Sequence, residues 1–152
     1  MSAPLKIAVA GLGTVGAGLV KLLASQAALL EARCGRRLVV TAVAARDRHK
    51  QRDIDIAKFA WFDDPVEMAR SADADAVVEL IGGADGPAKA LAEAAFARKR
   101  HVVTANKAML AHHGAALAAA AERAGVTLGY EAAVAGGIPI IKALREGLAG
   151  NR

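Results

Sequence analysis

Aromatic residues are scarce in this chain, at 3% of its 152 positions, and cysteine occurs once, at Cys34. A single cysteine excludes an intrachain disulfide and fits a reducing compartment, so a cytoplasmic setting is expected. Nothing near Cys34 marks it as a nucleophile, and a thiol at a helix end is its expected place. No Ser/His/Asp or Cys/His pairing stands out, which leaves nucleophilic catalysis without candidates. No uninterrupted apolar run reaches membrane-spanning length, so no membrane partner is expected. The stretch 7–20 has the hydropathy of a signal-peptide core, but its glycines and the helical pattern that continues beyond them argue against that role. With so few aromatics, the core has to come from small and aliphatic side chains, which dominate the 55% hydrophobic content. Such side chains suit closely packed α/β layers, and the length fits one domain with a substantial core.

A formal charge of +5 raises the question of nucleic acid. The basic residues fall into short groups: Arg33, Arg36 and Arg37; Arg46, Arg48, Lys50 and Arg52; Arg98, Lys99 and Arg100. No aromatics interleave with them to stack bases, and neither zinc-ligand spacing nor an RNA-binding signature is present. They read as solvated helix ends and turns, and no nucleic-acid partner is expected. Repeats and low-complexity linkers are also missing.

What is present is an apolar run, Leu5 to Ala10, feeding directly into Gly11-Leu12-Gly13-Thr14-Val15-Gly16 and then an amphipathic stretch. Three glycines at this spacing are a weak signal alone. Between a strand and a helix they read as a dinucleotide site, with Gly11, Leu12, Gly13, Thr14, Val15 and Gly16 as cofactor-binding positions. Gly11 allows the tight turn, Gly13 lacks the Cβ that would block a diphosphate, and Gly16 lets helix and strand pack closely. The helix start then offers unpaired N–H groups and a positive dipole end to the phosphates.

The pattern continues as alternating strands and helices. A helix is predicted over 15–32, with Val15, Leu19, Leu22, Leu23, Leu29 and Leu30 as its apolar stripe and Gly35 as its stop. A strand is predicted over 38–45, almost wholly apolar as in a parallel sheet covered on both faces. Residues 46–62 are mixed and end in the aromatic cluster Phe59-Ala60-Trp61-Phe62. Asp63-Asp64-Pro65 opens a short helix, with an acidic cap and proline in the first turn. Further strands are predicted over 76–81, 101–104 and 126–131. A helix starts at Asp85-Gly86-Pro87, and another spans 106–124 with a break near His113-Gly114. A terminal helix over 139–148 carries Ile140, Ile141, Leu144 and Leu148 on one side. Right-handed crossovers make this a doubly wound Rossmann-type parallel sheet of the α/β class, with its ligand crevice at the carboxyl ends of the strands.

In NAD-specific sites an acidic residue at the end of the second strand accepts hydrogen bonds from the ribose 2′-hydroxyl. Here that position reads Ala45-Arg46-Asp47-Arg48. Asp47 is a candidate acid, but Arg46, Arg48, Lys50 and Arg52 outnumber it, and a guanidinium there can grip a 2′-phosphate or stack on adenine. The balance favours NADP with Arg46 as its contact, and use of NAD stays open. A solvated polar turn is the plain alternative.

Lys107 follows the strand that ends at Thr104, facing the crevice where a nicotinamide would lie. There it can hydrogen-bond a substrate carboxylate or reacting oxygen, and burial would lower its pKa and ease proton exchange. A helix start is otherwise a poor place for a cation, which favours a functional reason for it. Glu79 is expected to bond to backbone in the Gly82-Gly83 crossover. His112 and His113 are expected on the surface, since neighbours on a helix point apart.

Four blocks in this order resemble homoserine dehydrogenase. They are the 11–16 glycine turn, Val77-Val78-Glu79-Leu80-Ile81-Gly82-Gly83, Val102-Val103-Thr104-Ala105-Asn106-Lys107-Ala108-Met109-Leu110-Ala111, and Tyr130-Glu131-Ala132-Ala133-Val134-Ala135-Gly136-Gly137-Ile138-Pro139-Ile140-Ile141. The second pair is the more specific, and the resemblance is weakest over 47–75. Ala97-Arg98-Lys99-Arg100 departs from the family's usual glycine-lysine turn.

The resemblance implies NADP-linked interconversion of aspartate 4-semialdehyde and L-homoserine in amino-acid biosynthesis leading to threonine and methionine. Thr104 and Lys107 would contact cofactor, and Lys107 also the substrate, as the catalytic residue on this chain. A sodium ion would be held by oxygen from Glu131 and the carbonyls of Val134, Gly136 and Ile138. The family's chain continues into a dimerisation and substrate-binding region that supplies the groups gripping the substrate amine and donating the proton. On this reading, residues 1–131 are the NAD(P)-binding domain and 132–152 begin that truncated second domain. The fragment alone is then expected to be inactive, and the whole protein a homo-oligomer acting on a small-molecule substrate. A different class, a non-catalytic NAD(P)-sensing module docking through its terminal helix, remains as the alternative.

Overall fold

Six parallel strands run through the computed structural model, which describes residues 2–150, in the order β3-β2-β1-β4-β5-β6. The strands are β1 (Leu5–Ala10), β2 (Leu38–Ala44), β3 (Ala60–Phe62), β4 (Ala76–Glu79), β5 (His101–Thr104) and β6 (Leu128–Gly129). The helices are α1 (Thr14–Ser25), α2 (Ala27–Cys34), α3 (Pro65–Ser71), α4 (Pro87–Ala97), α5 (Lys107–Ala124) and the single turn α6 (Ile140–Lys142). Strand order reverses direction between β1 and β4, so the chain winds outward both ways from that pair. The expected doubly wound parallel sheet is what the chain forms, and its crevice opens where β1 and β4 part.

Alternation along β1 divides the core into two layers. Ala8 and Ala10 face one side, where Ala42, Ala44, Val77 and Val102 join Met68, Leu91, Phe96 and Leu117 from α3, α4 and α5. Ile7 and Val9 face the other, with Val43 and Val78 against Val20 and Leu23 of α1. Alanine-rich strand faces let three helices approach closely, which explains how a chain this poor in aromatics fills its core.

Several elements differ from expectation. The predicted 15–32 helix is two helices bent by 78° at Gln26. Ser25 donates its hydroxyl to the Leu22 carbonyl at 3.3 Å and Gln26 leaves helical geometry, so the polar pair interrupts the ladder. Among the described residues no single helix is long and apolar enough to cross a membrane. The inward face of α1 is Gly16, Val20 and Leu23, while Val15, Leu22 and Leu29 of the expected stripe are exposed. Gly16, expected as the point of close helix–strand packing, lies on that face, whereas the stripe drawn from large apolar residues alone is rotated away from it.

β3 was legible only as an aromatic cluster, being a three-residue edge strand beside β2. β4 ends at Glu79, short of the predicted 81, because the Glu79 carboxylate takes the N–H groups of Ile81 and Gly82 away from the ladder. α5 continues through His113-Gly114 without the expected break. Gly costs a helix interior only ~1 kcal/mol, less than the packing of Met109, Leu117 and Ala121 supplies. The predicted 126–131 strand shrinks to Leu128–Gly129, and the chain turns at Glu131–Ala133. The predicted 139–148 helix is α6 followed by a wider π-type turn at Ala143–Gly147, with Ile140, Leu144 and Leu148 exposed. Asn151 and Arg152, the end of the expected second segment, lie outside the described residues.

The basic groups are not all solvated turns either. Arg100 is half-buried and donates to the Ala69 carbonyl at 2.6 Å and to the Ala72 carbonyl, closing the C-terminal end of α3. Burial, then the neighbouring Arg98, pull its guanidinium below the usual arginine value. Cys34 is the last residue of α2 and is exposed, as expected of a helix-end thiol.

Candidate functional site

The chain leaves β1 through Gly11, whose φ of +95° and contact with the β4 connection both demand glycine. A Cβ on Gly11 would lie 2.5 Å from the Leu80 carbonyl oxygen. One on Gly16 would lie 1.8 Å from the Gly11 carbonyl oxygen, so these two glycines are needed by the fold itself. Gly13 differs: a Cβ there would meet nothing within 4 Å. Its backbone caps α1 without any side-chain hydrogen bond, and no acidic residue stands in the first turn. The unpaired N–H groups and the positive end of the α1 dipole therefore face open space, a fit for diphosphate oxygens.

A cavity of about 490 Å³ occupies that space. Gly11, Leu12 and Gly13 line it on one side, Ala44 to Asp47 at the end of β2 on another, and Leu80 and Ile81 beyond β4 on a third. Lys50, Arg52 and Asp63 complete its charged wall with Arg46 and Asp47. Of the two carboxylates there, Asp47 accepts the His49 and Lys50 N–H groups at 2.8 and 3.1 Å, and Asp63 accepts the Trp61 indole N–H at 2.8 Å. Arg46 and Lys50 are exposed cations beside them.

Of the positions expected to bind cofactor, the cavity wall thus brings together Gly11, Leu12, Gly13 and Arg46. Thr14, Val15, Gly16, Thr104 and Lys107 are not part of it. Thr14 and Val15 are exposed on the first turn of α1, and Gly16 is buried beneath it.

Thr104 is fully buried and its hydroxyl is already committed. It donates to Glu79 Oε2 at 2.5 Å and accepts from the Asn106 N–H at 3.0 Å. The other oxygen of Glu79, itself fully buried, accepts the Ile81 and Gly82 N–H groups at 2.7 and 3.1 Å. Asn106 caps α5 by accepting the Met109 N–H at 3.0 Å, and its amide donates to the Gly83 carbonyl at 2.7 Å. This network joins the ends of β4 and β5 and fixes the start of α5, where Lys107 stands.

Lys107 is exposed, so the burial expected to ease its proton exchange is absent. The first turn of α5 puts Asn106 and Met109 inward and leaves Lys107 toward solvent. His112 is exposed as expected, but His113 is half-buried and sits 2.7 Å from Asp85, a pairing across 28 residues that no local pattern signals.

In the 131–138 loop both Glu131 oxygens accept backbone N–H groups, from Ile141 at 3.0 Å and Lys142 at 3.1 Å. The Ile138 carbonyl accepts from the Ile140 N–H at 2.8 Å. Two of the four oxygen donors expected for sodium are therefore engaged in seating α6. Among the described residues no cluster of three or more His, Cys, Asp or Glu side chains is arranged to hold a metal ion.

The sequence profile of the NAD binding domain of homoserine dehydrogenase matches residues 11–131. A homoserine dehydrogenase from Neisseria gonorrhoeae is 45% identical over 149 residues, covering 98% of this chain and 34% of that protein. One from Pseudomonas aeruginosa is 44% identical, with the same coverage. The crystal structure of a homoserine dehydrogenase from Thiobacillus denitrificans superposes with a TM-score of 0.87 at 42% identity, over 99% of this chain and 34% of that one. This chain spans about a third of the length of these relatives.

Proposed function

The chain belongs to the homoserine dehydrogenase family through its NAD-binding domain, and from that we propose that it is the coenzyme-holding part of an NADP-dependent dehydrogenase interconverting aspartate 4-semialdehyde and L-homoserine. One observation carries the coenzyme reading: the space over Gly13, clear of protein and bounded by the start of α1 and the end of β2. A bound nicotinamide dinucleotide would supply the hydride carrier. The residues of this chain bind and orient it. N–H groups at the start of α1 meet the diphosphate, and Arg46 with Lys50 meets the 2′-phosphate by charge-assisted hydrogen bonds. Asp47 spends one oxygen on its own turn, which disfavours the 2′-hydroxyl recognition typical of NAD sites.

At the other end of the crevice, Glu79, Thr104 and Asn106 hold the β5–α5 junction so that Lys107 presents its ammonium group to a substrate carboxylate or reacting oxygen. Thr104 acts in this reading beneath the site, through Asn106. Residues 1–131 are proposed as the coenzyme unit, and 132–152 as the beginning of a substrate and dimerisation region in a cytoplasmic homo-oligomer. Sodium at Glu131, Val134, Gly136 and Ile138 belongs to the same proposal, and it requires Glu131 to share or release its bonds to Ile141 and Lys142.

Calorimetric titration of the chain with NADP and NAD tests this reading. Binding is expected with NADP the tighter ligand, alongside negligible turnover of homoserine by the chain alone. No heat with either nucleotide overturns it. Binding with full turnover would refute the assignment of substrate and proton-transfer groups to sequence beyond this chain.

A further inference from the structure

Of the four cations between positions 46 and 52, Arg46, Arg48 and Lys50 are exposed and Arg52 alone is half-buried. Its guanidinium reaches three separate parts of the fold. Nε donates to the Leu12 carbonyl at 3.0 Å, inside the glycine turn, and Nη1 donates to the Lys50 carbonyl at 2.9 Å. The group also lies 5.8 Å from the centre of the Trp61 ring on β3. Trp61 is itself fixed by its indole bond to Asp63, and Arg48 lies 5.8 Å from the same ring. One residue further on, Asp53 is held to Lys21 of α1 at 2.8 Å. The cationic loop has no regular secondary structure, so these bonds are what fasten it to the diphosphate turn.

Accepting the cavity as a dinucleotide site, we infer that Arg52 is a positioning residue for coenzyme selection. It sets the separation between the turn that receives the diphosphate and the loop that meets the ribose 2′ position. Both of its acceptors are backbone carbonyls, on two segments 38 positions apart in sequence (12 and 50) that border the same cavity. A planar fork holds two such acceptors at a fixed angle, and its charge lies near the Trp61 ring. An ammonium on a flexible stem does not fix two acceptors in this way, so charge alone does not replace it. Arg46 and Lys50 then read the 2′ substituent from a distance that Arg52 maintains, and misplacement of about 1 Å is enough to lose much of an oriented interaction.

The test is titration of NADP and NAD into the intact chain and its R52K, R52Q, R46K and R46Q variants, with W61L as a second route to the same strut. Wild type is expected to discriminate between the two nucleotides. R52K and R52Q are expected to move that ratio alike, at least tenfold toward unity. R46K, whose role is contact through charge, keeps most of the ratio that R46Q loses. W61L moves the ratio in the same direction as R52K by several-fold, and it carries the test should R52K not fold. An R52K chain within twofold of the wild-type ratio overturns the inference, as does a wild-type ratio of one, and in both cases the dinucleotide reading stands. A wild-type chain that binds neither nucleotide removes that reading and this inference together.

Discussion

A methyl group added at Gly16 would be driven into the Gly11 carbonyl, whereas one added at Gly13 would meet only the cavity. The two substitutions therefore separate folding from binding. G13A is expected to melt within about 2 °C of wild type, since its φ of −75° suits alanine, while NADP affinity falls at least tenfold. G16A is expected to lose several kcal/mol, on the order of the larger overpacking penalties, and most of its soluble yield. Thermal melts beside nucleotide titrations check both. Thr104 offers a second residue-level test. T104V removes the hydroxyl that serves Glu79 and the Asn106 N–H, leaving buried polar groups short of a partner. It should cost about 1–3 kcal/mol, read as a lower denaturation midpoint in urea. That Glu79 bonds to the crossover backbone was legible from its place before Gly82-Gly83. That it also binds Thr104 was not, since the pairing spans 25 residues and depends on β4 lying beside β5.

Helix ends show how local patterns and distant contacts divide the work. Asp64 before Pro65 and Asn106 before Lys107 are side-chain caps, and each accepts a backbone N–H of its helix. Only the first was expected as a cap, although Asn is equally suited to that position. The C-terminal end of α3 is different, because its carbonyls are met by Arg100, the residue just before β5. R100M is expected to lower stability by about 1–3 kcal/mol by leaving those carbonyls unpaired, a loss visible in chemical denaturation with no change in nucleotide affinity. The break between α1 and α2, the rotated stripe on α1 and the short β3 escaped the sequence reading for related reasons. Hydrophobic periodicity weighs large side chains, whereas a sheet selects the face of closest approach, and a three-residue edge strand is too short to show a period.

For the molecule as a whole, ligand linkage provides the most direct prediction. Free NADP at one hundred times its dissociation constant should raise the unfolding free energy by about 2.7 kcal/mol, and a melting midpoint that ignores the nucleotide would count against the site. The pH response is expected to be shallow and two-sided. Lys21 holds the Asp53 carboxylate below its ordinary value through a hydrogen bond and charge. The stability this contributes is present above about pH 4 and is lost as pH falls through the lowered value. Lys6 is raised above the ordinary lysine value by its bond to Asp73, and its contribution is lost only as strongly alkaline pH passes that value. Both pairs are exposed, so salt should weaken them. Carboxylate NMR titration should find Asp53 shifted down in wild type and restored toward the ordinary range by K21M.

By itself the sequence determined the class of fold, the glycine turn after the first strand and the alternation of strands with helices. Those features are written in local spacing: three glycines, apolar runs of strand length, and caps beside prolines. Only the tertiary structure decided which face of α1 is buried, that Thr104 is buried against Glu79, and that Lys107 is exposed. It also decided that Arg52 fastens Leu12 across 40 residues. Such contacts leave no periodic trace, because a hydrogen bond between distant segments exists only once the sheet order has brought their strand ends together.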